Sequence, residues 1–365
     1  MQNSMNERIV LMVLRQGRAI STYPTVVNAA RMWKKAGWHV DILTQAEPDV
    51  PDVFRRYTPF WQGNFFVQMV QLIRQVLATA PQVIIAYEPI DAELCAVLPV
   101  FYTARYIYHN IELRYPGQRF YAIHHSLEKQ YYCKCETVIC QDSLRMSELN
   151  KLLGSPNLNS HEYLVPNTYM RESIPDEQRY WHKRFGLSEN KKILLYTGAI
   201  EHKKLPDDVI SRLLEVMPED WSLALWGWSV QGYAESIVKK HAESIVKHRL
   251  LLSLETLPEQ QYLEAVASAE AGLIWYGTTL KEDSNECNIG LSSGKFWRFI
   301  TLGKPVLALD KPGMGNFIRE KKLGVVVERL QQLDADIFRE LRSLKLEQDF
   351  FFSFSYAAIP ADGIT

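Results

Sequence analysis

The chain has 365 residues, more than one hydrophobic core usually organises, and fits two domains of ordinary size. Hydrophobic residues at 47% and charged residues at 23% exclude a disordered chain, and a net charge of −1 excludes the strong positive field of a nucleic-acid binder. Five cysteines without paired spacing give neither a disulfide framework nor a complete metal set, and read as buried thiols of a reducing cytosol.

The opening, Met1 to Glu7, is polar, and the apolar stretch after it has only strand length, so no secretory leader is expected. No run approaches the roughly 18–20 apolar residues that cross a bilayer. A cytoplasmic protein is expected, with the inner face of the membrane as an alternative address. Residues 9–14 form a short apolar run, as in a parallel strand covered on both faces. A loop containing Gly17 follows, then a helix over 22–36 that Gly37 ends, and a second strand over 38–44. Further strands are expected at 83–87, 105–108 and 137–140, with helical segments between them. Three proline turns near Pro156, Pro166 and Pro175 then break the pattern. Alternation resumes with strands at 192–196, 222–226, 250–252, 271–275 and 305–308.

The expected class is therefore α/β, with two doubly wound, Rossmann-like domains: residues 1–168, residues 169–340, and a tail, 341–365, returning to the first domain. Such sheets bind ligands at the carboxyl ends of their strands, which predicts a cleft between the two domains. Asp334-Ala335-Asp336 fits a D-x-D string, but it sits at a helix start where capping explains it, and no metal site is expected.

The most informative stretch runs from Ser292 to Leu307. Ser292-Ser293-Gly294 is a small-residue turn ahead of a short helix, and Gly303 and Pro305 close that helix. A turn of this kind serves as an N-cap, and the unpaired N–H groups behind it can also bind an anion such as phosphate. Lys295 would add a positive charge there. Gly198 follows another strand, Pro206 marks the first position of the next helix, and Lys203 and Lys204 lie between them. Asp207 and Asp208 in that first helical turn already satisfy its dipole. The loop after Trp275 is long and polar, at a strand's carboxyl end. His109 ends a strand and titrates near neutrality, which suits proton transfer. Glu112 is its companion, and Gly17 and Arg18, with Arg15, line the first βα loop.

These landmarks, in their order, resemble GT-B glycosyltransferases of the family-four-like group (glycosyl transferases group 1). Gly37-Trp38-His39-Val40 is similar to that family's second strand, Thr137 to Ser143 to the end of its first domain, and Val165-Pro166-Asn167 to its linker. Tyr196-Thr197-Gly198 with Lys203-Lys204 is similar to the opening of the second domain, and Lys295, Gly303, Pro305 and Val306 match its P-x-K-x-x-E-Y-x-x-x-G-x-P-V element. The resemblance implies a transferase moving a sugar from a nucleotide-sugar donor to a glycan or lipid-linked acceptor, in bacterial surface polysaccharide synthesis. It implies metal-independent, retaining chemistry without a bound cofactor.

On that resemblance, Gly198, Lys203, Lys204, Asn288, Ser292, Ser293, Gly294, Lys295 and Arg298 would hold the donor. Glu282 and Glu286, with His109, would be the catalytic candidates, and Gly17, Arg18 and Glu112 would line the acceptor side. Arg298 departs from the pattern, because the family carries a glutamate that holds the ribose there. An arginine accepts no hydrogen bond from ribose hydroxyls, so the donor is held differently, carries an extra negative group, or is not turned over. A nucleotide-sugar epimerase on the same scaffold and a non-catalytic sugar or nucleotide binder are the alternatives. Basic and aromatic residues mix in Met32-Trp33-Lys34-Lys35 and from Arg55 to Phe66, as a peripheral membrane contact requires and as core packing also produces.

Overall fold

The computed structural model describes residues 7–15, 19–116, 121–155, 160–168, 179–255, 257–277 and 284–346. Gly17, Arg18, Glu282 and the chain beyond residue 346 lie outside the described residues. The chain divides into two compact units at residues 170 and 171.

The first unit carries a parallel sheet of seven strands: β1 (Ile9–Leu14), β2 (His39–Thr44), β3 (Arg56–Pro59), β4 (Val83–Ala86), β5 (Arg105–His109), β6 (Thr137–Cys140) and β7 (His161–Leu164). Their spatial order is β3-β2-β1-β4-β5-β6-β7. The central strands are covered on both faces, which is why β1 and β4 read as unbroken apolar runs. Leu11, Val13 and Ile84 pack into the core on one face, and Val10, Met12 and Ile85 into the core on the other. The second unit repeats the plan with six parallel strands: β8 (Lys192–Ile200), β9 (Trp221–Ser229), β10 (Leu250–Ser253), β11 (Ala271–Ile274), β12 (Val306–Leu309) and β13 (Gly324–Val327). Their order is β10-β9-β8-β11-β12-β13.

Strands β3, β7 and β13 were not expected from the sequence. All three are sheet edges, and β3 and β7 are largely exposed, so their residues need no apolar run. The first helix also differs from expectation. A single 3-10 turn, Ile20–Thr22, precedes it, and the α-helix begins at Pro24, where a missing N–H costs nothing. Pro206 is extended and caps its helix from outside, so Asp207 is the first helical residue. Asp207 pairs with Lys240 and His241 besides facing the helix dipole. Asp334 caps the helix Ala335–Ser343, accepting from the N–H groups of Asp336 and Ile337.

Strand order reverses between β1 and β4 in the first sheet and between β8 and β11 in the second. A doubly wound sheet leaves its crevice at such a point, outside the carboxyl ends of the strands. Each unit therefore offers one place where loops diverge and side chains can meet a ligand.

Candidate functional site

At the β8/β11 reversal the second unit brings several lysines together. Tyr196 lies within β8, and Tyr276 stands two residues after β11 ends. Their rings flank the Lys295 ammonium, whose Nζ is 4.5 Å from the Tyr196 centroid and 4.2 Å from that of Tyr276. Two ring faces stabilise a cation that gives up part of its hydration. Lys295 is half-buried by surface area, yet its amino end is enclosed closely enough that desolvation lowers its pKa to about 7. The neighbouring charge of Lys204 pushes in the same direction, and Glu201 opposes it. A lysine so placed titrates near neutrality and gains its charge fully when an anion arrives.

The helix Gly294–Thr301 presents Lys295 from its first turn, beside the positive end of its dipole. Ser293 is its N-cap: the Phe296 N–H donates to Ser293 Oγ at 3.3 Å, and the Tyr276 hydroxyl is hydrogen-bonded to the same oxygen at 2.8 Å. Ser292 turns the other way, donating to the Ile289 carbonyl at 2.6 Å. The serines thus shape the turn and fix Tyr276 over the lysine, with Gly294 half-buried at the first helical position.

Lys203 and Lys204 form a charge cluster with two carboxylates. Lys204 lies 3.0 Å from Glu201 and 3.6 Å from Glu286, while Lys203 lies 3.7 Å and 3.8 Å from the same pair. Glu286 therefore faces lysines, and Asn288 closes the adjoining turn through its N–H to the Ser284 carbonyl. Glycine makes the arrangement possible. A β-carbon on Gly277 would sit 2.0 Å from the Lys203 carbonyl oxygen, so the lysine loop can lie on the β11 loop only where no side chain intervenes. Lys311, buried after β12, donates to the Gly277 carbonyl at 3.1 Å and ties in a third loop. Gly198 has φ +108, and a β-carbon on Gly227 of β9 would meet its carbonyl oxygen at 1.8 Å. Around Gly198 itself the space for a β-carbon is open.

Arg298 is buried in the last turn of the same helix and points at different partners from Lys295. Its guanidinium stands 5.1 Å from the Tyr262 ring centroid, and Tyr262 packs in turn on Trp226. It is built against an aromatic pair.

The first unit places carboxylates at its own reversal. Asp91 accepts from the Arg15 N–H at 2.7 Å and the Glu88 N–H at 3.0 Å, joining the end of β1 to the helix Pro89–Cys95. Burial raises Glu88 to about 7, with the Glu112 charge adding to the effect, and burial raises Asp91 as well. Such a carboxyl can take or give a proton near neutrality. Behind it, buried Glu93 and Glu128 face Arg114, and Tyr108 donates to Glu128 at 2.7 Å. His109 is wholly buried at the end of β5 against Tyr87, with ring centroids 5.2 Å apart. Burial lowers its pKa to about 3, so it is a neutral imidazole at physiological pH.

Of the residues singled out in the sequence, the structure brings Lys203, Lys204, Glu286, Ser293 and Lys295 together, with Asn288 on an adjoining turn. Gly198 lies inside β8, which runs on to Ile200, rather than after it as the sequence suggested. Glu112 joins the carboxylates of the first unit. Sequence reasoning missed Tyr196 and Tyr276 as cation partners, and it missed Glu88, Asp91, Glu201 and Lys311. Their common signal is position, since all lie at or just after strand ends on the ligand edge, apart from Tyr196 and Asp91. Among the described residues, no group of three or more His, Cys, Asp or Glu is arranged to hold a metal ion.

No family model matches the sequence, and no curated protein matches it either. Solved structures match over nearly the whole chain. Anabaena HepE in complex with UDP-glucose aligns with a TM-score of 0.73 at 11% identity, covering 98% of each chain. WaaG, a glycosyltransferase involved in lipopolysaccharide biosynthesis, aligns with a TM-score of 0.63 at 15% identity, over 97% of this chain and 96% of its own. UDP-GlcNAc 2-epimerase from Methanocaldococcus jannaschii aligns with a TM-score of 0.56 at 10% identity, over 93% and 94%. With two parallel, doubly wound sheets matched across both units, this protein has the GT-B fold.

Proposed function

We propose that the protein is a glycosyltransferase that moves a sugar from a nucleotide-sugar donor to a glycan or lipid-linked acceptor. The observation that carries this reading is Lys295, held between Tyr196 and Tyr276 at a helix N-terminus, with Lys203 and Lys204 on the loop beside it. A cation tuned to titrate near 7 is suited to a group whose negative charge grows as a diphosphate leaves. Glu286 would exchange its lysine contacts for sugar hydroxyls when a donor enters. Glu88 and Glu112 would meet the acceptor hydroxyl in the first unit, where a carboxyl titrating near 7 can receive its proton. Likeness to structures bound to UDP and UDP-glucose supports a uridine donor, and likeness to WaaG supports a surface polysaccharide as product.

Retention of configuration and independence from metal follow the resemblance in the sequence. The anomeric signals of the product and activity in the presence of a chelator check them in turn. The likeness to the epimerase favours a second reading, interconversion of a donor sugar without an acceptor. Thermal stabilisation across UDP, GDP, ADP, dTDP and CMP tests the common premise. A nucleotide at about 100 times its dissociation constant adds roughly 2.7 kcal/mol. If none of the five stabilises the chain, the donor reading falls. If one does, incubation of its sugar conjugates with and without acceptor glycans separates transfer from epimerisation.

A further inference from the structure

The helix Phe65–Thr79 buries Leu72 and Val76 in the core, yet it is apolar on its outer face as well. Gln68 and Gln71 are buried, and Gln71 is spent on the loop before the helix, accepting from the Trp61 N–H at 2.6 Å and donating to the Pro59 carbonyl at 2.7 Å. Meanwhile Phe66 is 69% exposed and Leu77 63%, with Val67 and Val70 exposed between them. Spacings of four and seven residues place Phe66, Val70 and Leu77 on one stripe. Trp61, in the preceding loop, is 43% exposed, and Arg74 on the helix reaches over its ring at 5.4 Å. A helix that only covers a core would be polar on its outer side, so this outer face is built for an apolar surrounding.

Charge narrows what that surrounding is. From Val53 to Tyr87 the chain has no Asp or Glu, but it has Arg55, Arg56 and Arg74. Arg55 is neutralised by Asp41, which leaves Arg74, exposed on the helix between Val70 and Leu77, and Arg56, exposed on β3. Apolar side chains, an exposed tryptophan and arginines without carboxylates suit the interface of an anionic bilayer, where rings sit at headgroup depth and arginines meet phosphates. Of the two basic-aromatic runs in the sequence, only this one exposes aromatic rings. In the other, Trp33 is fully buried against Trp38.

We infer that the outer face of the helix Phe65–Thr79, with Trp61 and Arg74, docks the first unit onto a membrane containing anionic lipid. The placement suits the acceptor. The helix starts after the carboxyl end of β3, so Trp61 and Phe66 stand at the sheet edge that carries Arg15, Glu88 and Glu112. On the transferase reading above, a lipid-linked acceptor would be held at the bilayer surface with its headgroup at that edge.

Sedimentation with phosphatidylcholine vesicles, with and without phosphatidylglycerol, tests the docking independently of any reaction. The full chain is expected to pellet with the anionic vesicles, less with the neutral ones, and less again as salt rises. A Phe66→Ser/Leu77→Gln variant, with its melting temperature and nucleotide stabilisation unchanged, should bind at least about tenfold more weakly. Wild-type protein that stays in the supernatant, or a variant that pellets equally, overturns the proposal. A dimer in sedimentation equilibrium that this variant dissolves, without vesicle binding, also overturns it and makes the face a contact between copies. Loss of the nucleotide response in wild type would instead count against the donor reading and leave the docking result standing.

Discussion

The two units use one architecture and arm it with opposite charge. Each reverses strand order next to its first strand, at β1/β4 and at β8/β11, and each closes that edge with loops that other loops hold down. The first unit sets carboxyls there, Glu88, Asp91 and the exposed Glu112, and burial makes the protons of Glu88 and Asp91 hard to lose. The second gathers amines, Lys295, Lys203 and Lys204, the last two paired with Glu201 and Glu286, and burial makes Lys295 easy to deprotonate. The same desolvation therefore produces two groups near neutrality, one from below and one from above. What differs is the ligand each suits: hydroxyl groups for the carboxyls, phosphates for the amines.

Removing the amine is the hardest test of that contrast. Lys295→Ala should weaken nucleotide binding by about 10- to 100-fold, the range of a lost hydrogen bond to a charged group, while the second unit stays folded. Calorimetric titration with the stabilising nucleotide reads the change, and unchanged affinity in a folded variant removes Lys295 from the site. Gly277→Ala attacks the same edge through the backbone. Its β-carbon would displace the Lys203 loop, at a stability cost of about 1–3 kcal/mol and with loss of nucleotide affinity. A variant that melts and binds like wild type would show that the lysine loop does not depend on this close approach.

The carboxyl side makes a prediction of opposite sign. Glu88 in the folded chain keeps its proton to about 7, against 4.5 when unperturbed, so between these values the folded state binds more protons. Its contribution is complete below about 4.5 and is lost as pH rises towards 7. Glu88→Gln has no proton to lose, and should make the fall in stability between pH 5 and 8 shallower by on the order of 1 kcal/mol. Denaturation midpoints at several pH values decide this. Asp91 shifts in the same direction and leaves part of the slope in place. A slope identical to wild type would mean that Glu88 is not the titrating group.

How far the sequence foretold this depends on the range over which each feature is encoded. The central strands were legible because burial on both faces writes an unbroken apolar run into β1 and β4 and into the first half of β8, whose second half, from Thr197 to Ile200, carries no such run. Edge strands such as β7, with three of four residues exposed, write no such signal. In the site, Ser293 and Lys295 were legible because a cap and the helix it starts are neighbours in the chain. The rings around Lys295 were not, since Tyr196, Tyr276 and Lys295 come together only through the pairing of β8 with β11. Glu88 was hidden by its neighbour: Glu-Pro reads as a helix start, and capping is indeed part of its work. His109 shows the converse. Its position at a strand end was correct, but no local pattern announces that Tyr87 and the core enclose the ring completely.

The subtlest consequence of the contrast is a proton count. At pH 8 the free Lys295 is mostly neutral, because its pKa lies near 7. A bound diphosphate favours the ammonium and raises that pKa, so binding should take up to about one proton from solution. Calorimetry of nucleotide binding in two buffers of different ionisation enthalpy reads the uptake directly. It should shrink at pH 6, where Lys295 already carries its charge, and vanish in Lys295→Met. Uptake of the same size in that variant would assign the proton to another group, with Lys311 as the next to examine, because burial lowers its pKa too. No uptake at pH 8 in wild type would mean that the bound anion does not reach the lysine between the two tyrosines, and would move the phosphates towards Lys203 and Lys204.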